Sequence, residues 1–243
     1  MSSAINKMLW KGGRFSNSYY AYAASRIKKI LALLPEKGKL LDVGCGDGAI
    51  ALLAKQKGLE AYGIDISASN ISLAKLNGIS AKTCDLNSER IPFPGNMFDA
   101  VYCGEVLEHT DSPERVIREI RRILKRNALL VVTVPNIAAW YNRILLLLGF
   151  VPHWVEAGSE KAYGTPFGVI SGHTKAFTKN AISELISGNG FSIKSVQGAA
   201  INPEPHATNR SEKIGSKLLY AADRAFSIYA PLSSNIIIEA RKK

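Results

Sequence analysis

Between residues 39 and 135 short apolar runs rich in β-formers alternate with segments of helical periodicity, and few architectures accept that order. A strand, a helix and a second strand in succession form a parallel pair, with helices covering the faces of the sheet. The predicted strands are 39–43, 59–65, 79–85, 98–104 and 128–135; the last, ALLVVTVP, is apolar throughout, as a strand buried on both faces requires. Helices are expected over AIALLAKQKG, stopped by Gly58, and over 67–77, between Ser67 as N-cap and Asn77-Gly78. A third opens at Ser112-Pro113-Glu114, which supplies cap, first-turn proline and first-turn acid in order. Val116, Ile117, Ile120, Ile123 and Leu124 draw its buried stripe.

Beyond Pro135 the alternation stops. Residues 136–172 form a long connection rich in aromatics. A capped helix over 178–190 and a strand over 191–198 follow, then a second insertion, 199–233, and a last strand over 235–241. The second insertion is expected to hold a helix near 212–229, because Ile214, Leu218, Ala221, Ala222, Ala225, Phe226 and Tyr229 recur at helical spacing. Ahead of the first strand, residues 18–34 read as an amphipathic helix on the sheet edge. The expected organisation is an N-terminal helical segment, 1–38, and one α/β domain, 39–243, with inserts at 136–172 and 199–233.

Composition narrows the partners. At 243 residues, 47% hydrophobic and 21% charged, the chain reads as a soluble globular protein. Its net charge of +11 divides into +7 over 1–39, −1 over 40–171 and +5 over 172–243. Basic flanks favour an anionic partner: nucleic acid, anionic lipid or a phosphorylated substrate. Three cysteines without CxxC spacing fit a reduced, cytoplasmic protein. The longest apolar stretch, ILLLLGFV, is far below the roughly 18–20 residues that span a bilayer, so no transmembrane segment is expected.

The candidate site lies in LLDVGCGDG. In an open α/β sheet a ligand sits beyond the carboxyl ends of the strands, where a glycine-rich turn lets backbone approach it. Asp42, Gly44, Cys45, Gly46 and Gly48 stand there after strand one. A glycine pattern alone also suits dinucleotide dehydrogenases; three acids at strand ends decide between the two. Asp65, followed by Ile66, ends strand two, where a carboxylate can accept both hydroxyls of a ribose. Asp85 ends strand three, placed to accept from an adenine amino group, with Leu86 for the ring face. Gly104 and Glu105 end strand four, beside the reacting atom.

With LDVGCGDG, YGIDIS, TCDL, FDAVYCGEVLEH, ILKRNALLVVTVPN and GHTKAFT in order, the chain resembles the class I S-adenosylmethionine (SAM)-dependent methyltransferases. More narrowly it is similar to the ubiquinone and menaquinone biosynthesis branch, methyltransferase type 11. The resemblance implies a Rossmann-like fold with a mostly parallel seven-stranded sheet and an antiparallel last strand, helices on both faces and helical inserts after strands five and six. It also implies that the glycine loop holds the methionine and ribose portions of SAM. Methyl transfer from the sulfonium to an oxygen or carbon of a small or lipid-like acceptor is the expected activity.

The chemistry needs an acceptor in line with the methyl group and, for a hydroxyl, a proton acceptor. Glu105, Glu108 and His109 lie within one turn past strand four, and His173 comes from GHTKAFT. His109 and His173 are read as the proton acceptors. In similar quinone and small-RNA O-methyltransferases a Glu-x-x-Glu-His motif binds a divalent metal; here pocket-shaping is favoured and no metal is assigned. His153 and His206 are read as surface groups in the inserts. WYNRILLLLGFVPHW is compatible with peripheral membrane contact or with a lid packed on its own core. An RNA ribose 2′-O-methyltransferase using the basic flanks, and a SAM-binding protein without catalysis, are the alternatives; nucleic acid is not favoured, because no RNA-binding module is evident.

Overall fold

The structure is a computed structural model describing residues 22–166, 171–202 and 210–243. The first turn expected for helix 18–34, Phe167 and His206 fall outside these residues. The strands are β1 (Lys39–Val43), β2 (Glu60–Asp65), β3 (Ser80–Thr83), β4 (Phe98–Gly104), β5 (Leu124–Pro135), β6 (Phe191–Ala199) and β7 (Asn235–Lys242). They form a single seven-stranded sheet in the order β3-β2-β1-β4-β5-β7-β6. Pairing is parallel from β3 through β5, and β7 runs antiparallel to both its neighbours, β5 and β6. This is the Rossmann-like sheet the sequence implies.

The helices are α1 (Ala24–Leu33), α2 (Ala49–Lys57), α3 (Ala68–Leu76), α4 (Pro113–Ile123), α5 (Trp140–Leu147), α6 (Lys179–Gly188) and α7 (Arg210–Phe226). Expected caps hold: Ser67, Ser112 and Thr178 accept from the backbone N–H of Asn70, Arg115 and Ala181. Alternation along β1 sends Leu41 and Val43 to one face, with Val116, Ile117 and Ile120 of α4 and Ile182 and Ile186 of α6. Leu40 faces the other side, with Ile30 of α1 and Ala54 of α2. Burying each such side chain contributes about 1.5–3 kcal/mol.

Three readings of elements change. β3 is Ser80–Thr83 rather than 79–85, so Asp85 lies two residues past its end. β5 begins at Leu124 rather than 128: Leu124 pairs with Phe98, and the register then advances two residues on β4 but five on β5. Asn127, at φ 58°, turns the exposed Lys125-Arg126-Asn127 segment back into the ladder. The helix of the second insertion forms, yet much of its apolar repeat faces solvent: Ile214 and Leu218 are 55% and 69% exposed. Both inserts are fastened to the sheet through buried Asp223, which accepts from Trp140 Nε1 at 3.1 Å, Ser234 Oγ at 2.7 Å and Ile201 N at 2.8 Å. No helix among the described residues is long and apolar enough to cross a membrane.

Candidate active site

The loop after β1 is built to let backbone come close. Gly44, Gly46 and Gly48 all take positive φ, 71°, 52° and 83°. A Cβ on Gly44 would run into Val106 Cγ2. Asp65, at the end of β2, holds this loop: one carboxylate oxygen accepts from Gly46 N at 2.9 Å, the other from Ser67 N at 2.9 Å and Asn70 Nδ2 at 3.3 Å. Between the loop and the ends of β2 and β3 runs a crevice of about 250 Å³, walled in part by Gly44, Asp65, Ile66, Asp85 and Leu86.

The remaining glycine-loop residues stand behind that crevice. Asp42 is buried, Oδ2 has no hydrogen-bond partner, and desolvation pushes its carboxyl up to about 8. Cys45 packs against Gly63, and burial raises its thiol, which suits a structural rather than a nucleophilic sulfur. Gly104 lies against the hydroxyl end of Tyr102, where a Cβ would collide. Asp85 faces the crevice but bonds locally, accepting from Asn87 N at 2.9 Å and Ser88 Oγ at 2.7 Å, which lowers its pKa.

Glu105 and His109 border the crevice and also a second chamber of about 230 Å³ beside it. Glu105 takes φ 56°, a left-handed conformation that β4 imposes as it ends. Its carboxylate accepts from Thr133 Oγ1 and Asn235 Nδ2, both at 3.1 Å, and pairs with Arg26 Nη1 of α1 at 2.5 Å. Arg26 was not singled out in the sequence, although it falls on the apolar stripe of α1 with Ala23, Ile27 and Ile30, where an arginine needs a buried partner.

The other side of the chamber carries Glu108, His109 and His173. The Glu108 carbonyl accepts from Thr174 N at 2.8 Å and Lys175 N at 3.0 Å, fastening the His173 segment to the turn after β4. The two imidazoles meet edge to face with centroids 4.7 Å apart. Nδ1 of His109 donates to the Gly172 carbonyl at 3.1 Å and Nδ1 of His173 to the Trp154 carbonyl at 3.3 Å. A carbonyl only accepts, so the basic nitrogen of each ring is Nε2. Burial, and then the His109 ring, lower the His173 pKa. Glu108 is 1% exposed, both its carboxylate oxygens lack partners, and burial with nearby Glu105 holds its pKa well up. Glu108, His109 and His173 offer ligand atoms within 4.8 Å of one another.

His153 is a correction: it is half-buried, its ring lies 4.1 Å edge-on from Trp154, and desolvation drops its pKa to about 4. Asn142 of α5 fixes it there by accepting from His153 N at 2.7 Å. Past the chamber, across Tyr22 and Ile201, lies an apolar cavity of about 240 Å³ between the inserts, bordered by Trp140, Tyr141 and Leu219.

Residues 41–132 match the family described as a methyltransferase domain. A ubiquinone biosynthesis O-methyltransferase from Bartonella quintana is 26% identical over 204 residues, 80% of this chain and 76% of that one. One from Albidiferax ferrireducens is 34% identical over 108 residues, 41% of this chain and 42% of that one. The structure of a SAM-dependent methyltransferase from Thermotoga maritima superposes with a TM-score of 0.65 at 18% identity, covering 100% of both chains. The matched family region spans the glycine loop and the first five strands apart from the ends of β1 and β5; the inserts lie outside it.

Proposed function

We propose that this SAM-dependent methyltransferase moves a methyl group to an oxygen of a small, amphipathic acceptor seated against Glu108, His109 and His173. One observation carries the reading: the crevice and the chamber share the wall of Glu105 and His109, so a methyl donor in the first presents its methyl group beside two imidazoles. SAM is the cofactor of such a domain, and the acids and glycines at the strand ends suit its ribose, adenine and methionine portions. The relatives named O-methyltransferase favour oxygen over carbon. The apolar cavity beyond Tyr22 and Ile201 favours an acceptor with one polar and one apolar end.

Displacement at the methyl carbon needs the acceptor oxygen in line with the sulfur, and orienting it contributes up to roughly 7–11 kcal/mol in well-ordered systems. The new C–O bond forms as the S–C bond breaks, its electrons pass to sulfur, and the hydroxyl proton passes to Nε2 of His109 or His173. Desolvation lowers the His173 pKa, which favours the neutral ring that this role needs.

The same residues fit a divalent cation. A buried carboxylate with two unpartnered oxygens beside two imidazoles is a set of hard and borderline donors. Glu105 does not belong to it, because its carboxylate is committed to Arg26, Thr133 and Asn235. Bound to Glu108, His109 and His173, such an ion would act as a Lewis acid on the acceptor oxygen.

The test is transfer of labelled methyl from SAM to fractionated lipid, RNA and small-metabolite pools. Label entering the lipid or small-metabolite pool as an ether or ester methyl is expected. Label in RNA, or none in any pool despite SAM binding, would overturn the reading. Turnover lost to chelator and restored by Mg²⁺ or Mn²⁺ assigns the ion to the cluster; turnover indifferent to chelator removes it and leaves the imidazoles as the base.

A further inference from the structure

Both imidazoles of the chamber are aimed by backbone carbonyls that lie outside the sheet. Nδ1 of His109 donates to the Gly172 carbonyl at 3.1 Å, and Nδ1 of His173 to the Trp154 carbonyl at 3.3 Å. The bond that one ring nitrogen makes decides which nitrogen carries the proton, so these two carbonyls keep Nε2 of each ring bare. The site therefore depends on how the backbone at 154 and at 172 is held.

Glu156 holds both. Its Oε1 accepts from Ser171 N, from Ser171 Oγ at 2.7 Å and from Gly172 N at 2.8 Å, fifteen and sixteen positions along the chain. Gly172 takes φ 75°, and consecutive N–H groups turned to one side in this way make a concave cradle for an anion. The carboxylate fills that cradle and leaves the Gly172 carbonyl to His109. Trp154 takes a left-handed φ of 71°, which a residue with a Cβ keeps only where its surroundings enforce it. They do so on either side. The buried Asn142 amide accepts from His153 N at 2.7 Å and donates to the His153 carbonyl at 3.2 Å, and Glu156 is anchored two residues further on. Between these anchors the Trp154 carbonyl is set toward His173.

We propose that Glu156 is a positioning residue: its carboxylate clasps Ser171 and Gly172 to the turn at Trp154, and so keeps the proton of both histidines on Nδ1. Glu156 is not among the residues that wall the chamber, so it acts through the imidazoles and not on the substrate. Its task is the same whether Nε2 takes the hydroxyl proton or a cation, since a ligating histidine is likewise oriented through its other nitrogen. The benefit to methyl transfer rests on the proposed function; the hold on the rings does not.

NMR of the full chain carrying ¹⁵N-labelled histidine, with neither SAM nor acceptor present and at a mildly alkaline pH, reads the tautomers directly; His109→Gln and His173→Gln assign the signals. The parent is expected to show both rings as Nδ1–H. In Glu156→Ala both should become mixtures with Nε2–H, and Glu156→Gln, whose amide oxygen can accept the same bonds, should restore them. In the labelled-methyl assay Glu156→Ala should lower turnover at saturating SAM at least about tenfold. Glu156→Gln should recover most of it, with S-adenosylhomocysteine affinity unchanged in both variants. Nε2–H rings in the parent, or Nδ1–H rings that survive Glu156→Ala, overturn the proposal. So does a loss of S-adenosylhomocysteine affinity in Glu156→Ala, which marks a loosening of the whole domain rather than of the rings. If no pool takes the label, the proposed function fails while the tautomers still decide the role of Glu156.

Discussion

Replacing Arg26 by methionine removes the charge that α1 places against Glu105 and keeps most of the aliphatic stem that packs there. The Arg26 and Glu105 side chains are 5% and 22% exposed, and their nearest atoms are 2.5 Å apart. At an effective dielectric of about 20, charges centred about 4 Å apart attract by about 4 kcal/mol, and removing one partner of a buried pair costs about 3–5 kcal/mol. Glu105 keeps two other donors, Thr133 and Asn235, and its side chain is 22% exposed, which brings the expected loss below that range, to about 2–3 kcal/mol. Urea unfolding of the cofactor-free protein, followed by circular dichroism, measures it. Changing Glu105 to glutamine as well removes the stranded charge, so the double variant should return to within about 1 kcal/mol of the parent. A single variant within about 0.5 kcal/mol of the parent, or a double variant no more stable than Arg26→Met, would refute the reasoning.

Asp65→Ala should leave the sheet folded and weaken S-adenosylhomocysteine binding about a hundredfold, from the loss of about 3 kcal/mol in hydrogen bonds to a charged acceptor; titration calorimetry showing equal affinity would refute the ribose assignment. Gly44→Ala places a Cβ against Val106 at a left-handed residue and should cost at least about 1–2 kcal/mol together with cofactor affinity, part of which Val106→Ala should return. Asp42 titrates from 3.8 to about 8 on folding, so between those values the folded state holds a proton that the unfolded state has released, and its contribution to stability falls as pH rises. Asp42→Asn should therefore remove that slope and gain on the parent as pH approaches 8, which melting curves across the window check; parallel curves for parent and variant would contradict it.

The sheet was legible because its signals are local. β1 and β4 have the expected bounds, and the Ser67, Ser112 and Thr178 caps lie where their helices begin. The early start of β5 was not legible, since Lys125-Arg126-Asn127 reads as a linker until Leu124 finds Phe98. At the site, the positions of the glycines, Asp65 and His109 follow from strand ends, which a period-two pattern locates, whereas His173 is read from the GHTKAFT segment. The commitments of the carboxylates did not follow. Glu105 meets a guanidinium from a helix 79 positions earlier in the chain, and Asp85 closes its own turn. The repeat over 214–225 predicted a helix correctly, but periodicity alone does not say which face a fold will cover.

The placement of β7 has a consequence for how the chain is made. Its neighbours are β5 and β6, and β6 has no other partner in the sheet. On a ribosome β6 emerges first and must wait, its backbone amides and carbonyls exposed, until residues 235–242 have cleared the exit tunnel. That interval is when the nascent polypeptide is most open to mispairing with another edge, and when a holdase chaperone has most to protect.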